Sequence, residues 1–149
     1  MLRSIRGQFD QATRQLSALF PDGPRVAVIG STDFWHDESE RTCTEIGRLL
    51  ATIRSLLLIT GGVEGIGEAT GRSFYETRRK LGNEPRIYHV LPEGEEGWDY
   101  GETFFVGADM AERREVLARL ADLYVAIEGG PGTVHEVAVA SGRGPSSSQ

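Results

Sequence analysis

The chain has 149 residues, enough for one domain with a substantial core. Its formal net charge is −6 and no basic run stands out, which disfavours nonspecific binding to nucleic acid or an anionic membrane but leaves room for a local phosphate site. The single cysteine, Cys43, excludes an intrachain disulfide framework and suits a reducing, cytoplasmic compartment, and no apolar run approaches the ~20 residues needed to span a bilayer.

Residues 1–20 place Leu2, Ile5, Phe9, Ala12, Leu16 and Leu19 at helical intervals, so the spacing predicts an amphipathic helix or arm packed on the domain. Its arginines, Arg3, Arg6 and Arg14, against one acid, Asp10, leave a transit peptide as the alternative. Pro21 to Pro24 end it. Arg25 to Gly30 reads as a buried strand, and Gly30-Ser31-Thr32 as the turn after it. Phe34 and Trp35 fall in a loop; such rings either anchor the loop or cover a bound base. Glu38 to about Arg54 reads as a helix with Ile46, Leu49, Leu50 and Ile53 on one face and Cys43 half-buried.

Ser55 to Thr60 is a second buried strand, leading into a glycine turn, Gly61 to Gly67, that opens a second helix running to about Leu81. The turn is not the dinucleotide fingerprint, and Glu64 and Glu68 would repel a phosphate there. Arg86 to Leu91 is a third strand, in which His89 reads as a hydrogen-bonded strand residue, since His36, His89 and His135 lack metal-ligand spacing. Residues 92–103, acidic and glycine-rich with Trp98 and Tyr100, read as an exposed loop, and Thr103 to Val106 as a short extra strand.

Asp109 to Asp122 reads as a helix capped by Asp109 with Glu112 as box partner, burying Val116, Leu117 and Leu120. Arg113 continues that buried face into the first turn, where a cation opposes the helix dipole at ~0.3–1 kcal/mol. It either meets an anion there or snorkels to solvent or to a nearby acid. Leu123 to Ile127 reads as a fully buried strand, Glu128 to Gly132 as a glycine turn, and Thr133 as the start of a helix. A strand, a glycine turn and a helix N-terminus make an anion site, with Gly130, Gly132 and Thr133 as amide donors because Pro131 has no N–H. By spacing alone Glu136 is either the Thr133 capping-box partner or a site carboxylate.

Glycine turns after buried strands predict an α/β, Rossmann-like, doubly wound parallel sheet with helices on both faces. Its divisions are an arm over 1–20, a nucleotide-binding domain over 25–141 and a flexible tail over 142–149. The ligand crevice is expected at the carboxyl ends of the strands, where strand order reverses and Arg113 can reach.

Gly129-Gly130-Pro131-Gly132-Thr133-Val134-His135-Glu136 resembles the P-G-G-x-G-T-x-x-E signature of the Lonely guy (LOG) phosphoribohydrolases and the wider lysine-decarboxylase-like superfamily. Met110 to Arg114 resembles that family's M-H-x-R-K motif, and Thr60 to Glu68 loosely matches its glycine turn. The resemblance covers about residues 25–140. It implies a homodimer acting on a small-molecule nucleotide, with no cofactor and no metal. The N-glycosidic bond of a nucleoside 5′-monophosphate would be cleaved to a free base and ribose 5-phosphate. Carried over, Arg113 and Glu136 are the catalytic pair, and Gly30, Ser31, Gly61, Gly62, Gly129, Gly130, Gly132 and Thr133 hold the nucleotide.

Departures from the pattern are Glu128 for the leading proline, Ala111 for the histidine, Arg114 for the lysine, Thr60 for the first glycine of the turn and Glu68 for its last. They keep open a non-catalytic nucleotide-binding or sensing domain, or a molybdenum-cofactor-carrier-like protein. After Ser141 the sequence turns to Gly142-Arg143-Gly144-Pro145, where the family continues with a strand and a helix. That ending reads either as a truncated product or as an edge that a partner subunit covers.

Overall fold

A computed structural model describes residues 2–128, with side chains described from residue 7 onward. The expected turn and helix carrying Gly129, Gly130, Gly132, Thr133 and Glu136, and the tail over 142–149, lie outside the described residues.

The elements alternate along the chain as α1 (Leu2–Ser17), β1 (Arg25–Gly30), α2 (Ser39–Ala51), β2 (Leu57–Thr60), α3 (Ile66–Lys80), β3 (Ile87–Leu91), β4 (Glu102–Phe105), α4 (Met110–Leu117) and β5 (Leu123–Ile127). The strands form one five-stranded sheet of order β4-β3-β2-β1-β5, every neighbouring pair parallel. Strand order reverses at β1, which pairs with β2 on one side and with β5 on the other. Gly30 is in register with Ile127 at the carboxyl end of that junction.

Alternation along the strands divides the core into two layers, as a sheet covered on both faces requires. Ala27, Ile29, Leu57, Ile59, Tyr88 and Val90 face α1 and α4, packing with Leu16, Phe20, Val116, Leu117 and Leu120. Val26, Val28, Leu58 and Ile87 face α2 and α3, packing with Cys43, Ala51, Ile66 and Phe74. The sheet is therefore doubly wound.

Several expectations need correction. In α1 the apolar stripe ends on Phe20 rather than Leu19: the chain turns after Ser17, leaving Leu19 63% exposed while the Phe20 ring packs 4.9 Å from Tyr88 and 5.3 Å from Phe104. The buried face of α2 is not the large apolar set Ile46, Leu49, Leu50 and Ile53; it is Ser39, Cys43, Gly47 and Ala51, spaced by four, and Leu49 and Ile53 are exposed. Small residues win because α3 lies so close that a Cβ at Gly47 would stand 2.4 Å from the Thr70 carbonyl oxygen. Cys43 sits in that contact, fully rather than half buried, and burial raises its thiol pKa.

The 92–103 loop is exposed only in part. Tyr100 is buried against α3 and stacks on Trp98 at 5.5 Å. β5 is not a fully buried strand: among the described residues it pairs with β1 alone, and Leu123 and Ala126 are exposed. α4 ends at Leu117 rather than Asp122, yet Leu120 and Ala121 in the following turn still join the core.

One interior cation organises the far edge of the α2–α3 layer. Arg78 is fully buried over the Phe74 ring and donates only to carbonyl oxygens: Ala51 at the end of α2, Ile53 after it, Leu56 before β2, and Glu84 and Pro85 before β3. It closes the end of α2, where unpaired carbonyls carry the negative end of the dipole. Nothing in the local pattern separates it from Arg79.

Candidate functional site

The site assembles at the carboxyl ends of β1 and β2, beside the point where strand order reverses. α4 delivers Arg113 to it. Asp109 caps α4 by accepting from the Glu112 N–H at 2.9 Å, and the Glu112 carboxylate accepts from the Ala108 N–H at 2.8 Å. That is a capping box displaced by one residue, since the return bond goes to Ala108 instead of Asp109. Gly107, at φ +84°, lets the preceding loop close on this turn; a Cβ there would meet the Arg113 amide nitrogen at 2.9 Å.

So anchored, Arg113 points inward as the periodicity predicts, at 5% exposure. Its Nη2 donates to Met110 Sδ at 3.5 Å. The guanidinium lies on Gly61, where an added Cβ would stand 2.8 Å from Nη1. Together with Val28, Ile29, Gly30, Val63, Glu64 and Gly67 it lines a cavity of about 50 Å³.

The structure brings Gly30, Gly61 and Arg113 together around this cavity. Gly30 is also demanded by packing, because a Cβ there would stand 2.2 Å from the Ile127 carbonyl oxygen. Gly62 lies in the same turn at φ +71°, with its N–H donated to Thr60 Oγ1 at 3.1 Å. Ser31 donates its hydroxyl to the Asp33 carbonyl and stands 3.5 Å from the Glu128 carboxylate. The Ser31 carbonyl accepts the Ile66 N–H at 3.1 Å, tying the first amide of α3 to the β1 turn.

Sequence reasoning missed two arrangements. The first belongs to Glu128, a non-glycine residue at φ +54°. Its carboxylate accepts from the Trp35 N–H at 2.7 Å and from the Ser39 hydroxyl at the start of α2. A carboxylate at that helix N-terminus is favourable, and it pins the 31–39 loop across the end of β5. The departure of Glu128 from the family pattern was the one available signal.

The second is a buried chain under the glycine turn. Thr60 Oγ1 lies 2.6 Å from His89 Nδ1, and His89 Nε2 lies 3.1 Å from the Tyr100 carbonyl oxygen. Both side chains are fully buried, and burial pulls the His89 pKa down to about 4. His89 is therefore a hydrogen-bonded strand residue. Among the described residues no cluster of three His, Cys, Asp or Glu side chains is placed to hold a metal, and no helix is long and apolar enough to cross a membrane.

A doubly wound parallel α/β sheet with a glycine-lined, arginine-bearing cavity at the carboxyl ends of its strands defines a protein of the Rossmann-like fold. The chain belongs to the SLOG cluster4 family, which it matches over residues 24–145. It is 34% identical over 115 residues to cytokinin riboside 5′-monophosphate phosphoribohydrolase LOG5 of Arabidopsis thaliana, an alignment covering 76% of this chain and 49% of that protein. The chain thus spans about half the length of that curated relative. Among solved structures it resembles TM1055, a structural-genomics target, at 30% identity and a TM-score of 0.67, over 80% of this chain and 69% of the other. The molybdenum cofactor carrier protein of Chlamydomonas reinhardtii matches at 25% identity and a TM-score of 0.65, over 80% and 71%. The molybdenum cofactor binding protein of Rippkaea orientalis, at 22% identity and a TM-score of 0.68 over 81% and 72%, shares the fold.

Proposed function

We propose that this protein is a phosphoribohydrolase acting on a nucleoside 5′-monophosphate. Water adds its hydroxyl to the anomeric carbon, the bond from that carbon to the base nitrogen breaks, and the proton goes to the departing base, giving free base and ribose 5-phosphate. The observation that carries the reading is the Arg113 guanidinium, held inward on Gly61 at the switch-point crevice. The similarity to a phosphoribohydrolase supports it.

In this reading Arg113 orients the phosphate-bearing substrate and the Glu136 carboxylate. Glu136 stabilises the developing oxocarbenium charge or activates the water. The amides of Gly130, Gly132 and Thr133 hold the phosphate, with Gly129, Gly30, Ser31, Gly61 and Gly62 forming the rest of the cradle. The single buried thiol fits a cytoplasmic setting, and the family resemblance supports a homodimer.

The test is release of ribose 5-phosphate from a panel of nucleoside 5′-monophosphates, N6-substituted adenine nucleotides included. Turnover that Arg113→Ala and Glu136→Gln both abolish establishes the hydrolase. Saturable binding without turnover establishes the second reading, a non-catalytic nucleotide-binding or molybdenum-cofactor-carrier-like protein. That reading is favoured by the acids Glu64, which lines the crevice, and Glu128, which lies beside Ser31, and by the cofactor-carrier structures.

A further inference from the structure

Thr60 stands where the family's turn has its first glycine, and its hydroxyl gives the turn a support that glycine cannot. The proton positions follow from chemistry alone. The Tyr100 carbonyl can only accept, so His89 Nε2, 3.1 Å away, carries the hydrogen. In the neutral ring Nδ1 then holds the lone pair and accepts the Thr60 hydroxyl hydrogen at 2.6 Å. The lone pairs of Thr60 Oγ1 are left for the Gly62 N–H at 3.1 Å. Every donor has an acceptor, and the chain runs in one direction, from Gly62 through Thr60 and His89 to Tyr100.

The ring has little freedom to leave this arrangement. Trp98 and Tyr100 meet it edge-on, with centroids at 4.7 and 5.0 Å. The turn is constrained from the other side as well: Gly62 adopts φ +71° directly over Leu91, which a Cβ would meet at 2.7 Å. One residue earlier, Gly61 is the surface on which the Arg113 guanidinium lies.

We propose that Thr60 and His89 are positioning residues: their hydrogen-bonded relay to Gly62 sets the glycine turn at the height that places the Arg113 guanidinium in the crevice. This rests on the hydrolase reading for its kinetic consequence but not for its structural one. The relay explains why a histidine hydrogen-bonded at both ring nitrogens is fully enclosed, and why a threonine is accommodated where the family turn has glycine.

The test combines nitrogen-15 NMR with kinetics on the full chain. In the parent, the His89 ring should be neutral and protonated on Nε2 from pH 5 to 8, and the Gly62 amide should exchange slowly with solvent. Thr60→Val, which keeps the shape and removes the hydroxyl, should speed Gly62 exchange at least about tenfold while β1 amides are unchanged. It should lower kcat on the preferred monophosphate about 10- to 100-fold with little change in KM, and Thr60→Ser should restore both. An Nδ1-protonated ring in the parent overturns the relay without any variant, and so does a folded Thr60→Val protein with unaltered Gly62 exchange. Unaltered kcat in a variant whose Gly62 exchange has risen overturns the positioning role. Absence of turnover in the parent counts against the hydrolase reading alone; the nitrogen-15 shifts of the Arg113 guanidinium then replace kcat, and shifts unchanged in Thr60→Val overturn the positioning role.

Discussion

Gly61 and Arg113 meet so closely that a single methyl group separates function from structure: a Cβ at Gly61 would stand 2.8 Å from Nη1. The obstructed atom is the far end of a flexible side chain, and the backbone at Gly61 is not in the left-handed region. Gly61→Ala should therefore fold with a stability loss under about 1 kcal/mol while moving the guanidinium out of register. A fall in kcat/KM of about tenfold or more, with a melting temperature within a few degrees of the parent, is the expected pair of results. Unchanged kinetics would remove Arg113's resting place from the account of the site.

Glu128 holds the 31–39 loop through Trp35 and Ser39 and places a carboxylate beside Ser31, at the end of β5. Glu128→Gln keeps one acceptor oxygen, for the Trp35 N–H, turns its NH2 to the Ser39 hydroxyl, which then accepts, and discharges the group. Calorimetric titration with AMP should show binding tightened by about 3- to 10-fold, roughly 1 kcal/mol of relieved repulsion. Weaker binding would mean that the loop anchor matters more than the charge.

Arg78 satisfies carbonyls from the end of α2, the 53–56 turn and the 84–85 segment while sealed from water. Arg78→Met fills the space and leaves those oxygens unpaired, at a cost of about 3 kcal/mol or more. Urea denaturation should show a lowered midpoint with an unchanged slope. Arg78→Lys should recover little, because one ammonium cannot reach both ends of the fork.

His89 links folding to pH. Its ordinary value is 6.5 and burial lowers it to about 4 in the folded protein. Between these values the unfolded chain binds a proton that the folded chain refuses, so stability falls as pH drops from about 6.5 to about 4. The full contribution is at most about 3 kcal/mol. Chemical denaturation of His89→Gln should show a flatter dependence on pH across that window, and an unchanged slope would rule out His89 as its source.

The strand runs around Val28, Ile59 and Val90, the punctuation at Pro21–Pro24, and the inward phase of Arg113 were legible because each rests on local physics: periodicity, backbone restriction and capping. The buried face of α2 is not legible from hydrophobic size, because helix separation sets it. At a contact where Gly47 nearly touches the Thr70 carbonyl, only small residues fit and Leu49 turns outward. The pairings Thr60–His89 and Ser39–Glu128, 29 and 89 residues apart, have no local signature at all.

By itself, the order of amino acids determined the α/β alternation, the parallel sheet wound on both faces, and the glycine turn and inward arginine that line the crevice. Those properties follow from the chemistry of neighbouring residues. Tertiary structure alone decided which strand takes the place beside β1, that Glu128 closes onto α2, and that a buried histidine underpins the glycine turn. Each of these depends on groups far apart in the chain, whose pairing is selected by the free energy of the assembled core.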